Sequence, residues 1–193
     1  MKMIRFTFLV AILASVFLSS CSYNSMVEKE EATSSQWGQV QNAYQRRADL
    51  IPNLVATVKG YATHEEQTLT EVVNARAKAT QITVSADDLS EENIKKYQEA
   101  QGQLSAALGK LLMVQEQYPD LKANQNFLAL QDELAGTENR IAVERNKYNE
   151  VVKDYNQYIR KFPQTIWSGW FGFSKKGYFE ADAGSQTAPK VQF

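Results

Sequence analysis

Apolar residues recur along most of this chain at steps of three and four. From Trp37 the stripe runs through Val40, Tyr44, Ile51, Leu54 and Val58, and with one change of frame through Ala62, Leu69 and Val72. That spacing puts the apolar residues on one face of a helix, and no alternation suited to strands competes with it. Pro52 lies inside the stripe. Its ring lacks an N–H and clashes with the carbonyl four residues back, so a kink or a restart is expected there, with Asp49 able to cap a restarted helix. Gly60 is a second weak point.

Residues 79–90 (ATQITVSADDLS) lose the periodicity and read as a loop. Ser90 is placed as the N-cap of the next helix, with Glu91 and Glu92 at its positive end. That helix carries Ile94, Tyr97, Leu104, Leu108 and Leu111 on one stripe, with Gln101 as a polar interruption. Tyr118-Pro119-Asp120 is expected to stop it and cap the next. The last helix has the most regular pattern: Phe127, Leu130, Leu134, Thr137, Ile141, Glu144, Tyr148, Val151, Tyr155, Tyr158 and Phe162 follow alternating steps of three and four, ending at Pro163. This is a heptad seam about five repeats long, with a reach of roughly 60 Å at ~1.5 Å per residue. Short connections make neighbouring helices antiparallel. The expectation is an all-α, elongated, up-and-down antiparallel bundle of about four helices. Arg47, Glu65, Arg76 and Glu144 fall in or beside the seams. They read either as partly exposed, snorkelling side chains or as a buried polar network that fixes helix register.

Two segments depart from this pattern. At the N-terminus, Lys2 and Arg5 precede an apolar run of 13 residues, Phe6 to Leu18. Crossing the hydrocarbon core takes about 20 helical residues, so the run has the proportions of a signal-peptide core. It ends in Leu18-Ser19-Ser20-Cys21, which resembles a bacterial lipobox. The resemblance implies a signal peptide over residues 1–20 and a diacylated, cleaved and then N-acylated Cys21. Such a terminus holds a membrane firmly, at roughly 0.8 kcal/mol per buried CH₂.

After Pro163 comes an aromatic segment with Trp167, Trp170, Phe171, Phe173, Tyr178 and Phe179, interrupted by Gly169, Gly172 and Gly177. It can fold back and cap the bundle, dock a protein partner, or lie at a membrane interface. These six aromatics are therefore the candidate partner or membrane contacts. Residues 182–193 are small and polar and read as a disordered tail.

Composition narrows the function. The chain has 193 residues, with 21 Lys and Arg against 22 Asp and Glu. There is no broad basic field for nucleic acid. Loss of residues 1–20 leaves 19 basic residues against 22 acidic, a net charge of −3. A single Cys excludes an internal disulfide framework and a cysteine-based zinc site. The single His, His64, precedes Glu65 and Glu66, but no H-E-x-x-H motif follows. It reads as a solvated helix-face residue. Carboxylate pairs such as Asp87/Asp88 and Glu91/Glu92 sit where capping and solubility explain them. No catalytic grouping, metal site or cofactor site is read from the chain.

Several runs resemble the bacterial LemA family: Tyr23-Asn24-Ser25-Met26-Val27, Gln45-Arg46-Arg47-Ala48-Asp49-Leu50-Ile51-Pro52-Asn53-Leu54-Val55, Val58-Lys59-Gly60-Tyr61-Ala62, Tyr118-Pro119-Asp120-Leu121-Lys122-Ala123, Glu138-Asn139-Arg140-Ile141, and Phe162-Pro163 through to Phe179-Glu180-Ala181. The resemblance covers nearly all of residues 23–181 and implies an extended helical bundle beside a membrane. LemA-like proteins usually carry one N-terminal transmembrane helix; here that segment ends in a lipobox instead. No catalytic residue carries over. The expected protein is a lipid-anchored, extracytoplasmic scaffold or adaptor of a bacterial cell-envelope complex, over a bundle domain at 21–181. The alternative is a structural protein of the membrane surface that self-assembles through pairing between copies.

Overall fold

The computed structural model describes the backbone of residues 2–181 and the side chains of residues 22–181. The side chain of Cys21 and the expected disordered tail, residues 182–193, lie outside the described residues. Six α-helices follow one another: α1 (Lys2–Tyr61), α2 (Glu66–Gln81), α3 (Glu91–Met113), α4 (Pro119–Lys122), α5 (Gln125–Arg160) and α6 (Gln164–Trp170). A 3-10 turn, Val114–Gln117, follows α3. No strand occurs among the described residues.

Cross-helix hydrogen bonds fix the directions. Tyr155, Glu144, Glu133 and Asn124 of α5 and its cap meet Glu30, Gln36, Arg46 and Tyr61 of α1 in descending order, so the two helices are antiparallel. On α2, Glu71 and Ala79 meet Lys110 and Gln101 of α3, which is antiparallel as well. The long helices α1, α2, α3 and α5 thus form the expected up-and-down bundle. At ~1.5 Å per residue, the 36 residues of α5 span about 54 Å.

Pro52 does not restart a helix: α1 is continuous through it. The carbonyl that a residue-52 amide would have bonded is that of Ala48. Arg76 of α2 donates its Nε to that oxygen at 2.8 Å. A side chain from the neighbouring helix therefore replaces the donor that proline lacks. Asp49 lies inside α1 and accepts from Gln45 at 2.7 Å rather than capping a helix. The change of frame in the sequence marks the real break, where α1 stops after Gly60 and Tyr61 and a tight turn leads to Glu66. His64 sits exposed in that turn, not on a helix face.

Two further boundaries differ from the sequence reading. Ser90 is the N-cap residue of α3, but its side chain makes no capping bond. The cap of α5 is Asn124, whose Oδ1 accepts from the Phe127 amide at 2.9 Å; Pro119 and Asp120 belong to the short α4. The strict heptad also slips. Val152 and Ile159 are buried where Val151 and Tyr158 were expected, and Phe162 is 81% exposed. A straight helix turns every 3.6 residues and drifts about 20° per heptad, so over five repeats the buried stripe moves on by one position.

Three apolar clusters fill the bundle. One end is built on Ile51, Leu54, Leu104, Leu111 and Phe127. The middle is aromatic, with Trp37 packed edge-on against Tyr97 (5.2 Å between centroids) and close to Tyr148 (5.6 Å). The loop after α2 belongs to this middle cluster: Val84 and Leu89 are buried, and the Val84 carbonyl accepts from the Trp37 indole at 3.1 Å. A small third cluster gathers Met26, Tyr155 and Ile159 at the end nearest residue 22.

Candidate functional site

The aromatic segment after α5 divides into two parts with different fates. Residues 173–181 form an extended strap lying on the bundle. Its backbone is held by side-chain amides that each bridge both polar groups of one residue. Asn156 does this to Lys176 (2.9 and 3.0 Å), Asn149 to Phe179 (2.9 and 2.9 Å), and Gln98 to Glu180 (2.9 and 3.0 Å). Tyr148 adds a bond from its hydroxyl to the Gly177 carbonyl at 3.2 Å, and the Gly177 amide donates to the Leu89 carbonyl at 2.7 Å. Gly177 is required for close approach: a Cβ there would lie 2.7 Å from the Cα of Glu91. These amides stand in for the ladder partners that an extended segment would otherwise need.

The strap brings two side chains into the core. Phe179 is only 4% exposed and stacks on Trp37 at 6.0 Å, with the Arg145 guanidinium 5.1 Å from the centroid of its ring. It is therefore a core residue, which corrects its place among the candidate contact aromatics; burying such a ring is worth about 1.5–3 kcal/mol. Lys176 is buried too, paired with Glu30 of α1 at 2.9 Å and 5.8 Å from the Tyr155 ring. The Tyr155 hydroxyl donates to the Ser174 carbonyl at 3.0 Å, and burial, reinforced by Glu30, pushes its ionisation above the ordinary tyrosine range.

The other part, Phe162 to Phe171, behaves differently. Pro163 follows a cis peptide bond, α6 makes two turns, and Gly172 takes a positive φ of 80° that turns the chain back into the strap. Trp167 and Phe173 are half-buried against the Met26 cluster. Trp170 (78%), Phe171 (51%) and Ile166 remain exposed. Tyr178 is exposed as well, but on the strap. The Phe171 and Phe173 rings lie 5.0 and 5.8 Å from Tyr23 of α1. The exposed aromatic end is thus fixed two residues from Cys21.

A polar cluster crosses the bundle further along. The Arg47 guanidinium is 1% exposed. It donates to the Gln101 side chain at 2.6 Å, to Ser105 at 2.7 Å and to Glu138 at 2.5 Å. Gln101 in turn reaches the Ala79 carbonyl at 3.4 Å. Beside it, burial pushes the Tyr97 phenol above its usual range. Arg47 thus joins α1 to α3 and α5, and Gln101 extends the connection to α2. Glu144 is also buried. The Gln36 amide donates to it at 2.8 Å and holds its carboxyl below the usual range, with Lys147 at 3.2 Å assisting. Arg76 and Glu65 are half-buried. The sequence placed Arg47 and Gln101 on separate seams, and only the fold pairs them.

A surface cleft of about 540 Å³ between α1 and α5 is lined by Gln39, Asn42, Arg46, Glu133, Thr137 and Arg140. Arg46 and Glu133 pair with each other across it at 2.6 Å. Among the described residues, no group of three or more His, Cys, Asp or Glu side chains is placed to hold a metal ion. Among the same residues, no helix is long and apolar enough to cross a membrane.

The LemA family profile matches residues 36–193. The chain belongs to the LemA family. Relatives of this LemA-family chain include the protein named Magnetosome protein MamQ 2 of Paramagnetospirillum magneticum, 28% identical over 92% of this chain and 71% of that protein. Protein LemA of Metamycoplasma hominis is 27% identical over 72% of this chain and 60% of that protein. Magnetosome protein MamQ of Magnetospirillum gryphiswaldense is 24% identical over 86% of this chain and 67% of that protein. None of the three is named for a reaction.

Proposed function

We propose that this LemA-family chain is a lipoprotein of the bacterial cell envelope, anchored outside the cytoplasm through Cys21, and that its bundle serves as a scaffold or adaptor for an envelope protein complex. The observation that carries the reading is the continuity of α1. One helix leads from Cys21 directly into the bundle core, so a lipid at Cys21 would hold the body at a defined distance from the bilayer. Relatives named for the magnetosome, a cellular structure and not a reaction, support a role in assembly over one in catalysis.

Two measurements on the full chain test this. Metabolic palmitate labelling is expected to mark the wild type and not Cys21→Ala; equal labelling of both refutes the anchor. Photo-crosslinking from Gln39 and Arg140, on the exposed cleft between α1 and α5, is expected to give discrete heterologous adducts in the membrane fraction. Adducts of twice the chain mass would favour the self-assembling alternative, and no adduct at either position would refute the scaffold.

A further inference from the structure

The exposed aromatic end of the bundle has more order than a loose tail needs. Residues 160–175 read RKFPQTIWSGWFGFSK: three cations, no carboxylate and six large apolar side chains. Trp167 and Phe173 fasten this segment to the Met26 cluster. Fastening it leaves Phe162, Ile166, Trp170 and Phe171 facing outward. Arg160, Lys161 and Lys175 of the same segment are exposed, Arg160 and Lys175 on a cleft that they share with Glu91 and Glu180. A folded protein that keeps two turns of helix in place only to expose a tryptophan and a phenylalanine presents a surface for something apolar.

What covers it follows from where it is. Tyr23, against which Phe171 and Phe173 pack at 5.0 and 5.8 Å, lies on the same unbroken helix as the apolar run Phe6 to Leu18, five residues beyond its end. Five residues of helix rise about 7.5 Å. Whether the acylated Cys21 or the apolar run itself enters the bilayer, the headgroup region lies within reach of Trp170. Tryptophan and basic side chains are favoured at that depth, where an amphipathic ring meets hydrocarbon on one side and water on the other, and the three cations of the segment suit anionic headgroups.

We propose that the α6 segment is a membrane foot: Phe162, Ile166, Trp170 and Phe171 insert into the headgroup layer while Arg160, Lys161 and Lys175 meet anionic lipid. The foot gives the bundle a second point of contact beside the anchor. One point leaves the long axis free to swing; two fix its tilt and present a constant side of the bundle. The inference rests on the anchored reading only for the position of the bilayer.

The test uses the full-length chain reconstituted into phosphatidylcholine–phosphatidylglycerol vesicles, with bromine-labelled phosphatidylcholine as a quencher from the lipid side and iodide from the water side. The chain has three tryptophans. Trp37 is buried in the bundle middle, 14 residues of helix beyond Tyr23, or about 21 Å. Trp170→Phe removes the exposed indole and keeps an aromatic ring against Trp167, 5.6 Å away, so the difference from the wild type reports Trp170. Bromolipid quenching in the wild type is expected to be at least twice that in Trp170→Phe, with Trp170 shielded from iodide on vesicles. Lys161→Glu/Lys175→Glu is expected to reduce the bromolipid quenching while the protein still floats with the vesicles. A protein that floats while Trp170 stays open to iodide and unquenched by bromolipid overturns the foot alone, and returns the aromatic face to a protein partner. A protein that does not float overturns the anchored reading and the foot together.

Discussion

The bond from Arg76 to the Ala48 carbonyl explains how α1 tolerates Pro52, and it can be tested as a pairwise coupling. Arg76→Met keeps most of the aliphatic stem and removes the donor. A hydrogen bond from a charged group contributes about 1.5–3 kcal/mol; Arg76 is half-exposed, which favours the low end, so the expected loss is about 1.5 kcal/mol. Pro52→Ala restores an amide that can reach the same oxygen, and removes the strain of an interior proline, about 3 kcal/mol, offset by a more flexible unfolded chain at about 0.4–1 kcal/mol. In the Pro52→Ala background, Arg76→Met should therefore cost less than about 0.5 kcal/mol, since the Ala48 carbonyl keeps a partner. The coupling is then about 1 kcal/mol. Urea unfolding followed by the helical dichroism of the four chains, in one detergent and at one pH, measures it. Equal losses on removing Arg76 with proline and with alanine at position 52 would refute the reasoning.

Three other perturbations address the remaining ties. Arg47→Met should destabilise by about 2–4 kcal/mol, because Gln101 is left buried without its charged donor, while Glu138, 46% exposed, regains water; adding Gln101→Leu should recover about half, as read by the same urea curves. Gly177→Ala should lift the strap from α3 at a cost of about 1–3 kcal/mol and speed amide exchange at Gly177 and Phe179, whereas exchange unchanged at both would show that the strap is not pinned there. Glu144 titrates below the ordinary carboxylate value because of Gln36, so its contribution is present above the unfolded pKa of about 4.3 and lost as pH falls through the lower folded value. The stability gap between the wild type and Glu144→Gln should accordingly shrink between pH 6 and pH 3 in thermal melts, and a constant gap would count against the tie.

The helices were legible because their apolar spacing is a local property. Leu104, Leu108, Leu134, Ile141 and Tyr148 are buried where the periodicity puts them. The start of α1 was not, because its inward face between residues 22 and 36 carries Ser22 and Thr33 beside Met26; a buried threonine whose hydroxyl bonds back to the Lys29 carbonyl at 2.9 Å leaves no apolar signature. The continuity of α1 through Pro52 is not legible in the sequence, because the donor that replaces the missing amide comes from a residue 24 positions away, on another helix. The aromatic segment was recognised as a unit but not divided. What separates Phe179 from Trp170 is the amide bridging by Gln98, Asn149 and Asn156, and isolated polar residues on a helix face give no sign of what they will hold.

Together the polar ties join α1 to each of α2, α3 and α5. Arg76 of α2 bonds the Ala48 carbonyl; Arg47 reaches Gln101 on α3 and Glu138 on α5; Gln36 reaches Glu144, also on α5. Seams of leucine, isoleucine and tyrosine are nearly interchangeable in shape, so an apolar core alone would permit exchanged helix order or a slip by one turn. A carbonyl made available by proline, a guanidinium and a carboxylate are not interchangeable, and a wrong pairing would leave one of them buried alone. The Arg47→Met/Gln101→Leu chain separates this specificity from stability. It should regain about half of the stability that Arg47→Met loses, but with a smaller urea m-value or a broadened transition, because competing arrangements become populated. A sharp transition of unchanged slope would mean that the apolar seams specify the arrangement without the polar ties.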